Sequence, residues 1–420
     1  MKKRFPAIIA AALIIVTAAS CTAQNTEQPA ATQTTAAASE KSSDAENTAL
    51  TKSDNSADTS GLSKANVFTD RDLSQTADLT NAKKYTVESG KDISITSEGV
   101  YVLSGNAENV TVTVDAGNEA KVQLVLDGLT VTNTDSPVIY VKSADKVFVT
   151  TASGKTNSLS VTGSFTSDGD TNTDAVIFSK DDLTLNGKGT LKINSTANGI
   201  TGKDDLKLTG GTLDITSSAD SVEANDSIAV AGGEITLNSQ KDGLHAENDE
   251  DNTVGYIYIC GGSLNINAVS DAIQGTTTVQ VDDGKLNITA AEGVEGTYVK
   301  LNGGTINISA SDDGINASAK SDSVSTAIEI NGGDITVDMG QGDTDGIDSN
   351  GDLYINGGKI TVNAQSPFDY DGTVEKNGGT LIVNGEETDT VTNQMMGGGH
   401  GGGMRGAPGG GMGGIRGKMQ

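Results

Sequence analysis

A glycine that closes a short apolar stretch recurs through the C-terminal part of the chain, and this repeat limits the fold more than any other feature. Its positions are Gly189, Gly211, Gly233, Gly262, Gly284, Gly304, Gly333, Gly358 and Gly379. A spacing of about 20 to 30 residues is typical of stacked structural repeats. Within Val299–Ala317, apolar residues alternate with polar ones on both sides of Gly303-Gly304, and a third short strand begins at Ile315. This period of two predicts short strands joined by tight turns.

Three strands in each repeat, without a helical segment between them, predict an all-β protein. The specific prediction is a right-handed parallel β-helix, a solenoid with three short strands per rung. From Asn66 to about Phe165 the strands lack the regular glycine spacing, so we expect a less regular N-terminal part. Only 3% of the 420 residues are aromatic and 53 are glycine, which suits many short strands and turns.

The N-terminus has the features of an export signal. Lys2, Lys3 and Arg4 precede an apolar run at 7–19 that is too short for a membrane span. Small residues before Cys21 resemble the lipobox of bacterial lipoproteins, which implies cleavage before Cys21 and a lipid on its sulfur; ordinary signal peptidase cleavage is the alternative. The other cysteine, Cys260, then has no partner for an intrachain disulfide.

Composition divides the chain into four predicted parts. Residues 1–20 are the signal peptide, and residues 21–65, rich in Ser, Thr and Ala, form a disordered tether. The β-helix domain spans 66–390, and the Gly/Met-rich residues 391–420 form a disordered tail. The formal net charge is −28. Such a surface repels nucleic acid and anionic lipid, so the implied partners are cations.

Acidic residues recur where the third strand of each repeat begins. Stacked repeats would place them in one column, formed by Asp174, Asn198, Asp220, Asp242, Asp271, Glu292, Asp313, Asp345 and finally Asp369 or Asp371. Carboxylates about 4.8 Å apart repel each other unless they are protonated or bridged by a cation. Ca²⁺ with oxygen ligands on opposite sides matches this spacing. The predicted calcium ligands are Asp220, Asp242, Asp271, Asp312, Asp313, Asp343 and Asp345.

Turn chemistry is the alternative explanation for these acids. An Asp before Gly commonly bonds its own backbone, and the Gly supplies a positive φ. Turns explain single Asp-Gly pairs well, but they explain less well the doubled acids at Asp312-Asp313 and the group Asp343, Asp345 and Asp348. The segment 343–352 also resembles an EF-hand loop, but its Gly comes too early and Tyr354 stands in place of the bidentate Glu.

Polar residues occupy the outward positions of the third strands and could form hydrogen bonds to sugars. The predicted carbohydrate-binding residues are Glu223, His245, Gln274, Glu295, Asn316 and Asp348. Any solvated strand shows a similar face, and for His245 a surface position is favoured over a role as ligand or base.

Catalysis is the main alternative to binding. Asp-Thr-Asp-Gly at 343–346 and the pair Asp312-Asp313 resemble elements of polygalacturonases, but the histidine and arginine motifs of that family are missing, and no Arg occurs between Arg71 and Arg405. A lyase that uses Lys203 or Lys241 as its base stays open. We therefore predict a protein that is not an enzyme.

The span from about Asn66 to Gly385 resembles a bacterial carbohydrate-binding β-helix family whose clostridial representative binds polygalacturonic acid. The motifs that carry this resemblance are VFTDRDL at 67–73, GVYVLSG at 99–105, VQLVLDGL at 122–129, IFSKDDLTLNG at 177–187, GKDDLKLTGGTL at 202–213, SDDGIN at 311–316 and DGIDSNGDLYINGG at 345–358. The resemblance implies that 66–390 is a carbohydrate-binding domain containing calcium.

Together these features predict a non-catalytic binder of acidic, pectin-like polysaccharide, bridged by Ca²⁺ along the acidic column. We expect it to be exported and lipid-anchored on the outer face of a bacterial cell membrane, or secreted. The membrane is contacted only through the N-terminal lipid, and neither nucleic acid nor an obligate protein partner is expected. A purely structural adhesin is a further alternative.

Overall fold

The computed structural model describes residues 62–341 and 344–393, which belong to one compact unit, Asp54–Gln420. The predicted signal peptide, the lipidation site Cys21, almost all of the tether and tail, and Asp343 lie outside these residues. The described residues form two short helices, α1 (Lys64–Val67) and α2 (Asp70–Leu73), and 34 strands numbered in chain order. Among them, no helix is both long and apolar enough to cross a membrane.

The strands form two sheets. The larger sheet has 22 strands: β1 (Lys83–Thr86), β3 (Gly99–Glu108), β5 (Lys121–Asn133), β7 (Lys146–Thr151), β8 (Thr156–Val161), β10 (Asp182–Gly187), β11 (Thr190–Ser195), β13 (Asp205–Leu208), β14 (Thr212–Ser217), β16 (Ser227–Val230), β17 (Glu234–Ser239), β19 (Tyr256–Ala268), β21 (Thr278–Ala290), β23 (Tyr298–Leu301), β24 (Thr305–Ala310), β26 (Ala327–Ile330), β27 (Asp334–Met339), β29 (Asp352–Ile355), β30 (Lys359–Asn363), β32 (Val374–Lys376), β33 (Thr380–Val383) and β34 (Glu386–Thr388).

The second sheet has 12 strands, which correspond to the third strands of the repeats. They are β2 (Ile93–Ile95), β4 (Val112–Asp115), β6 (Ile139–Ser143), β9 (Ala175–Ser179), β12 (Asn198–Gly202), β15 (Val222–Ala224), β18 (Leu244–Ala246), β20 (Asp271–Gly275), β22 (Glu292–Gly296), β25 (Asp313–Ala317), β28 (Asp345–Ser349) and β31 (Ser366–Tyr370). Strands of both sheets pair in parallel, except for the antiparallel pair β33–β34 at the C-terminal end.

The all-β class is confirmed, but the predicted right-handed β-helix solenoid with three short strands per rung is wrong. Ten strands of the larger sheet form a closed ring of parallel pairings, which runs β5–β7–β10–β13–β16–β19 and returns through β17–β14–β11–β8 to β5. The ring closes through β5 and β19, which are each 13 residues long. One part of β5 pairs with β7 and another with β8; in the same way, β19 pairs with β16 and with β17. The 12-stranded parallel sheet is a second, separate sheet, and its buried side chains belong to the same hydrophobic core.

The alternation read from the sequence determines which side chains form the core. In β24, Ile306 and Ile308 are buried, while Asn307 between them is exposed. The next repeats keep this order, since Ile306 pairs in register with Ile335 and Ile308 with Val337. Stacked branched side chains fill one continuous core, and burial of this apolar surface is the main stabilising contribution.

Two kinds of glycine have different structural roles. Gly304, in the turn before β24, has a φ of +87°, which residues with a Cβ rarely adopt. Gly314, in the Asp-Gly pair of β25, has no positive φ, but a Cβ there would lie 2.3 Å from Val337 Cγ1 and 2.4 Å from the carbonyl oxygen of Gly346. Gly314 is therefore required by close packing between repeats, not by a turn.

We predict that Gly314→Ala lowers the free energy of unfolding by about 1–3 kcal/mol, because the added methyl group overpacks the core. Urea unfolding followed by circular dichroism measures this loss. Ala272 occupies the equivalent position in β20 and is fully buried, so Ala272→Gly is the matched control, with a loss of about 1 kcal/mol or less. A Gly314→Ala protein that unfolds at the wild-type urea concentration would contradict the packing role.

An N-terminal strap, residues 62–75, packs on the outer face of the larger sheet. Thr69 forms a capping box with Asp72 at the start of α2, and the ring of Phe68 lies 6.3 Å from that of Tyr258. Asp72 is fully buried, and its Oδ1 lies 2.9 Å from the Nζ of Lys146. The strap therefore attaches to the sheet through an apolar contact and a buried ion pair.

Candidate functional site

The first residues of the third strands are aligned across the 12-stranded sheet. Asp271 pairs in register with Glu292, and Asp313 pairs with Asp345. Because parallel strands lie about 4.8 Å apart, these carboxyl groups are neighbours. The structure therefore brings together the acids of the predicted column in these repeats.

Both ends of the column differ from the prediction. Asp345 pairs with Ser366, so placing Asp369 or Asp371 at the end of the column was wrong; Asp369 pairs with Asp348 instead. At the other end Asn198 pairs with Ala175, which places Asp174 one residue before the column. The error at the C-terminal end arose because Ser366 carries no charge and the acids follow it in the sequence.

The column side chains accept hydrogen bonds from the backbone of the next repeat. The N–H of Asp242 donates to Asp220 Oδ1 at 2.9 Å, and the N–H of Asp271 donates to Asp242 Oδ1 at 3.0 Å. The same bond joins Asp345 N–H to Asp313 Oδ1 at 3.3 Å. These acids therefore connect successive repeats, and the alternative that each serves a tight turn of its own backbone is wrong for them.

One part of this face, which we call the carboxylate cluster, combines several half-buried acids. It consists of Asp271, Glu292, Asp313, Asp345, Asp348 and Asp369 together with Asn316. Burial and the neighbouring Glu292 raise the pKa of Asp271 to about 7. Burial and the carboxylate of Asp348 raise the pKa of Asp313 to about 7. For Asp348, burial and Asp369 raise the pKa to about 6.

Two oxygen atoms in the carboxylate cluster stand out. Asn316 is 8% exposed, and its Nδ2 donates to Glu292 Oε2 at 3.0 Å. Its Oδ1 is buried without a hydrogen-bond partner among the described residues, and the same is true of Asp369 Oδ1. Asp348 pairs in register with both residues. Buried acceptors without donors are costly, and a cation would satisfy them. Asp312, by contrast, is exposed beside the cluster.

The six predicted carbohydrate-binding residues form a second aligned column on the same sheet. They are Glu223, His245, Gln274, Glu295, Asn316 and Asp348. Several are buried in a polar network: Gln274 Nε2 donates to Asp271 Oδ2 at 2.8 Å and to Glu295 Oε2 at 2.7 Å. Lys320, which the sequence analysis did not single out, lies 2.7 Å from Glu295 Oε2. Contact with sugar stays a prediction for all six.

The second part of the face is a groove of about 770 Å³, which we call the histidine groove. Its lining includes Asn198, Lys203, Glu223, Lys241, His245 and Glu247. Glu247 comes from the insertion that follows β18, so this insertion supplies part of the wall. Lys203 Nζ lies 3.3 Å from Glu223 Oε1.

His245 is buried, so the favoured surface position is wrong. It is 7% exposed, its Nδ1 lies 3.3 Å from Asp220 Oδ2 and 3.6 Å from Asp242 Oδ2, and its Nε2 lies 3.0 Å from Glu247 Oε2. Burial lowers the pKa of His245, but the hydrogen bond and charge of Asp220 outweigh this and raise it. For Asp220 the signs are reversed: burial raises its pKa, but the hydrogen bonds from His245 and from the N–H of Asp242 outweigh this and lower it.

Lys241 contacts the same two carboxylates as His245. Its Nζ lies 3.1 Å from Asp220 Oδ2 and 3.6 Å from Asp242 Oδ2. Burial lowers the pKa of Lys241, but the two carboxylates outweigh this effect and raise it. The ammonium form is therefore stabilised, which does not suit a general base.

We predict that stability in EGTA falls as pH rises from about 5 to 8. Asp271 and Asp313 have folded-state pKa values of about 7, above the value of roughly 3.9 in unfolded chains. The folded protein therefore binds their protons more tightly, and this stabilisation is lost as pH rises through about 7. Thermal unfolding across this range measures the trend. Asp271→Asn with Asp313→Asn should flatten the trend, and a wild-type melting temperature that rises with pH would contradict it.

Comparisons with known proteins agree on one family. A family model described as carbohydrate-binding domain-containing protein matches residues 89–343 and 291–394. A protein of the same description from Acetivibrio thermocellus is 42% identical over 126 residues, which are 29% of this chain and 44% of that protein. The match thus spans less than half of that relative.

A solved structure is also similar. It is described as the polysaccharide lyase-like protein from C. thermocellum, gadolinium derivative, and it is 31% identical with a TM-score of 0.50. The similarity covers 52% of this chain and 96% of that one. The resemblance read from the sequence is thus confirmed at the level of the family, while its polygalacturonate-binding type stays a prediction. Because the family model matches more than half of its residues, the chain belongs to the family of carbohydrate-binding domain-containing proteins.

Proposed function

We propose that this protein binds acidic polysaccharide of the polygalacturonate type through Ca²⁺ held at the carboxylate cluster, and that it does not cleave the polymer. Family membership supports a polysaccharide partner. The calcium part is carried by two buried oxygens, Asn316 Oδ1 and Asp369 Oδ1, which have no hydrogen-bond partner in the described part of the chain and lie among acids whose pKa values are raised.

The donor set of the cluster fits calcium. Ca²⁺ binds six to eight oxygen ligands from carboxylates, amide carbonyls and water. Asp313, Asp345, Asp348 and Asp369 would supply carboxylate oxygens, and Asn316 would supply its Oδ1. Burial and repulsion between neighbouring acids raise the pKa values of Asp313 and Asp348, and a bound cation would offset the repulsion.

An acidic polymer is the ligand class that this arrangement favours. The formal net charge of −28 repels a polyuronate at long range. Ca²⁺ with incomplete protein coordination can accept ligands from a sugar carboxylate, which joins two surfaces of like charge. Amide and hydroxyl groups beside the cluster would contact the sugar hydroxyls. They include the amide of Gln274, which is bonded to Asp271, and the hydroxyl of Ser318, which donates to Glu295 Oε1 at 2.7 Å.

The proposal of binding without cleavage rests on the protonation and position of the basic residues. Lys241 is one of the two lysines predicted as a possible base; burial lowers its pKa, but Asp220 and Asp242 outweigh this and raise it. Arg71, the one arginine of the described residues, lies 4.3 Å from the Phe148 ring centroid. A lyase is the second candidate function, because the similar solved structure is described as polysaccharide lyase-like and Lys241 lies beside two carboxylates.

Retention of polygalacturonate by the full chain, with Ca²⁺ and with EGTA, tests the proposal. We expect retention only with Ca²⁺ and no release of unsaturated or reducing ends; a neutral glucan is the matched control and should not be retained. Released products would favour the lyase or a hydrolase. Absence of retention in both conditions would leave a structural adhesin.

We also propose that the protein acts outside the cell, held to the membrane by a lipid on Cys21. The sequence before Cys21 supports this proposal. Cys21→Ser should move the protein from the membrane fraction to the soluble fraction, and an unchanged distribution would contradict the lipid anchor.

A further inference from the structure

A separate ligand set lies at the wall of the histidine groove, which Asp220 and His245 line. Its two acids, Asp242 and Asp220, lie one and two repeats before Asp271 of the carboxylate cluster. Asp220, Asp242 and His245 are 3%, 2% and 7% exposed. One ligand atom from each lies within 4.8 Å of the others. We propose that these three residues bind a first-row transition-metal ion, a site that differs in chemistry from the calcium site and does not depend on it.

The spacing of the ligand atoms suits such an ion. His245 Nδ1 lies 3.3 Å from Asp220 Oδ2 and 3.6 Å from Asp242 Oδ2. Metal–ligand bonds of about 2.0–2.2 Å place adjacent ligands about 3.0–3.5 Å apart in octahedral or tetrahedral geometry. The observed separations are close to this range before any metal draws the ligands together.

Each ligand is already oriented by a bond made at its other polar atom. Asp220 Oδ1 accepts the N–H of Asp242, and Asp242 Oδ1 accepts the N–H of Asp271. Both Oδ2 atoms therefore remain directed toward His245. Glu247 Oε2 lies 3.0 Å from His245 Nε2, and a proton on Nε2 leaves the lone pair of Nδ1 for the metal. A carboxylate behind a ligating imidazole is a common arrangement in metal sites.

The nitrogen ligand decides the class of metal. Calcium binds oxygen ligands, whereas imidazole combined with carboxylates favours zinc and the other late first-row metals. Lys241 Nζ lies 3.1 Å from Asp220 Oδ2 and balances the same negative charge. Its side chain is 52% exposed, so it can turn to solvent when an ion binds. The groove leaves the remaining coordination positions to water or to an oxygen of a bound ligand.

Titration of the full chain with Co²⁺ tests this proposal. The protein is first stripped with a chelator and then kept in excess Ca²⁺, so that oxygen-only sites are filled. We expect one equivalent of Co²⁺ to produce a visible ligand-field absorption band, which Zn²⁺ then abolishes. His245→Gln should weaken Co²⁺ binding by about 100-fold or more, and Glu247→Gln by about 10-fold.

Two further variants separate metal binding from a structural role. Lys241→Met should tighten Co²⁺ binding, because it removes the competing ammonium group. Gln274 is aligned with His245 in the next repeat, and Gln274→Ala is the matched control that should leave the affinity unchanged. If the wild type shows no band in excess Ca²⁺, or if Lys241→Met fails to tighten binding, the proposal is overturned. Equal affinities of the wild type and a folded His245→Gln protein would also overturn it.

Discussion

Asp72→Ala is expected to lower the free energy of unfolding by about 3–5 kcal/mol, because it breaks a buried ion pair. Asp72 is fully buried, and its carboxylate lies 2.9 Å from Lys146 Nζ and accepts a hydrogen bond from Thr184 Oγ1 at 2.8 Å. Removal of the carboxylate leaves the ammonium group of Lys146, whose side chain is only 10% exposed, without its closest partner.

The effect should extend to the whole N-terminal strap. Burial raises the pKa of Asp72, but Lys146 and the backbone of Thr69 outweigh this and lower it to about 2. Its contribution is therefore present above about pH 4 and is lost as pH falls toward 2. Hydrogen exchange should show faster exchange in α1 and α2 of the variant.

Urea unfolding of Asp72→Ala at neutral pH measures the loss. Asp70→Ala removes an exposed acid from the same helix, and this matched control should change stability by less than about 1 kcal/mol. Equal losses in the two variants would show that the ion pair between the strap and the sheet contributes little.

The double substitution Asp313→Asn with Asp348→Asn should weaken Ca²⁺ binding by about 100-fold or more, because the number of charged ligands sets the affinity of calcium sites. The same protein should be more stable than the wild type in EGTA. Burial and neighbouring acids raise the pKa of both residues, so the wild-type cluster carries repulsion that the amides remove. Opposite effects on calcium affinity and on calcium-free stability identify a cation site.

Calorimetric titration of Ca²⁺ and thermal unfolding in EGTA measure these two effects. Asp334→Asn with Asp338→Asn makes the same change of charge at exposed positions of β27 in the larger sheet, so it controls for net charge. Unchanged calcium affinity in the Asp313 and Asp348 variant would show that the carboxylates serve only to join the repeats.

The sequence pattern predicted the strands and the core well. Alternating apolar pairs and the recurring glycines identify strands such as β24 and β27 and their partners, because side chains that alternate between the two faces of a strand produce alternating apolar and polar residues. The closure of the larger sheet produces no corresponding pattern in the sequence. A Gly-Gly pair separates β23 from β24 at Gly303-Gly304, yet Gly261-Gly262 lies inside the continuous strand β19.

The candidate site was predicted in part. The acids that begin the third strands were identified, because their spacing follows the repeat. The surroundings of His245 were not, since Asp220 contacts it from the neighbouring repeat and Glu247 contacts it from the start of the insertion that follows β18. The Asp-Gly pairs were hard to interpret for a related reason: a Gly that supplies positive φ and a Gly that avoids a clash, such as Gly314, look identical in sequence.

A crystal structure of the full chain grown with Ca²⁺ and a galacturonate oligosaccharide tests whether calcium joins the carboxylate cluster to the sugar. We expect an ion bound by Asn316 Oδ1, Asp348 and Asp369, with a sugar carboxylate completing its coordination. Electron density that shows no ion at the carboxylate cluster, or a sugar bound on the larger sheet instead, would contradict calcium-bridged binding at this site.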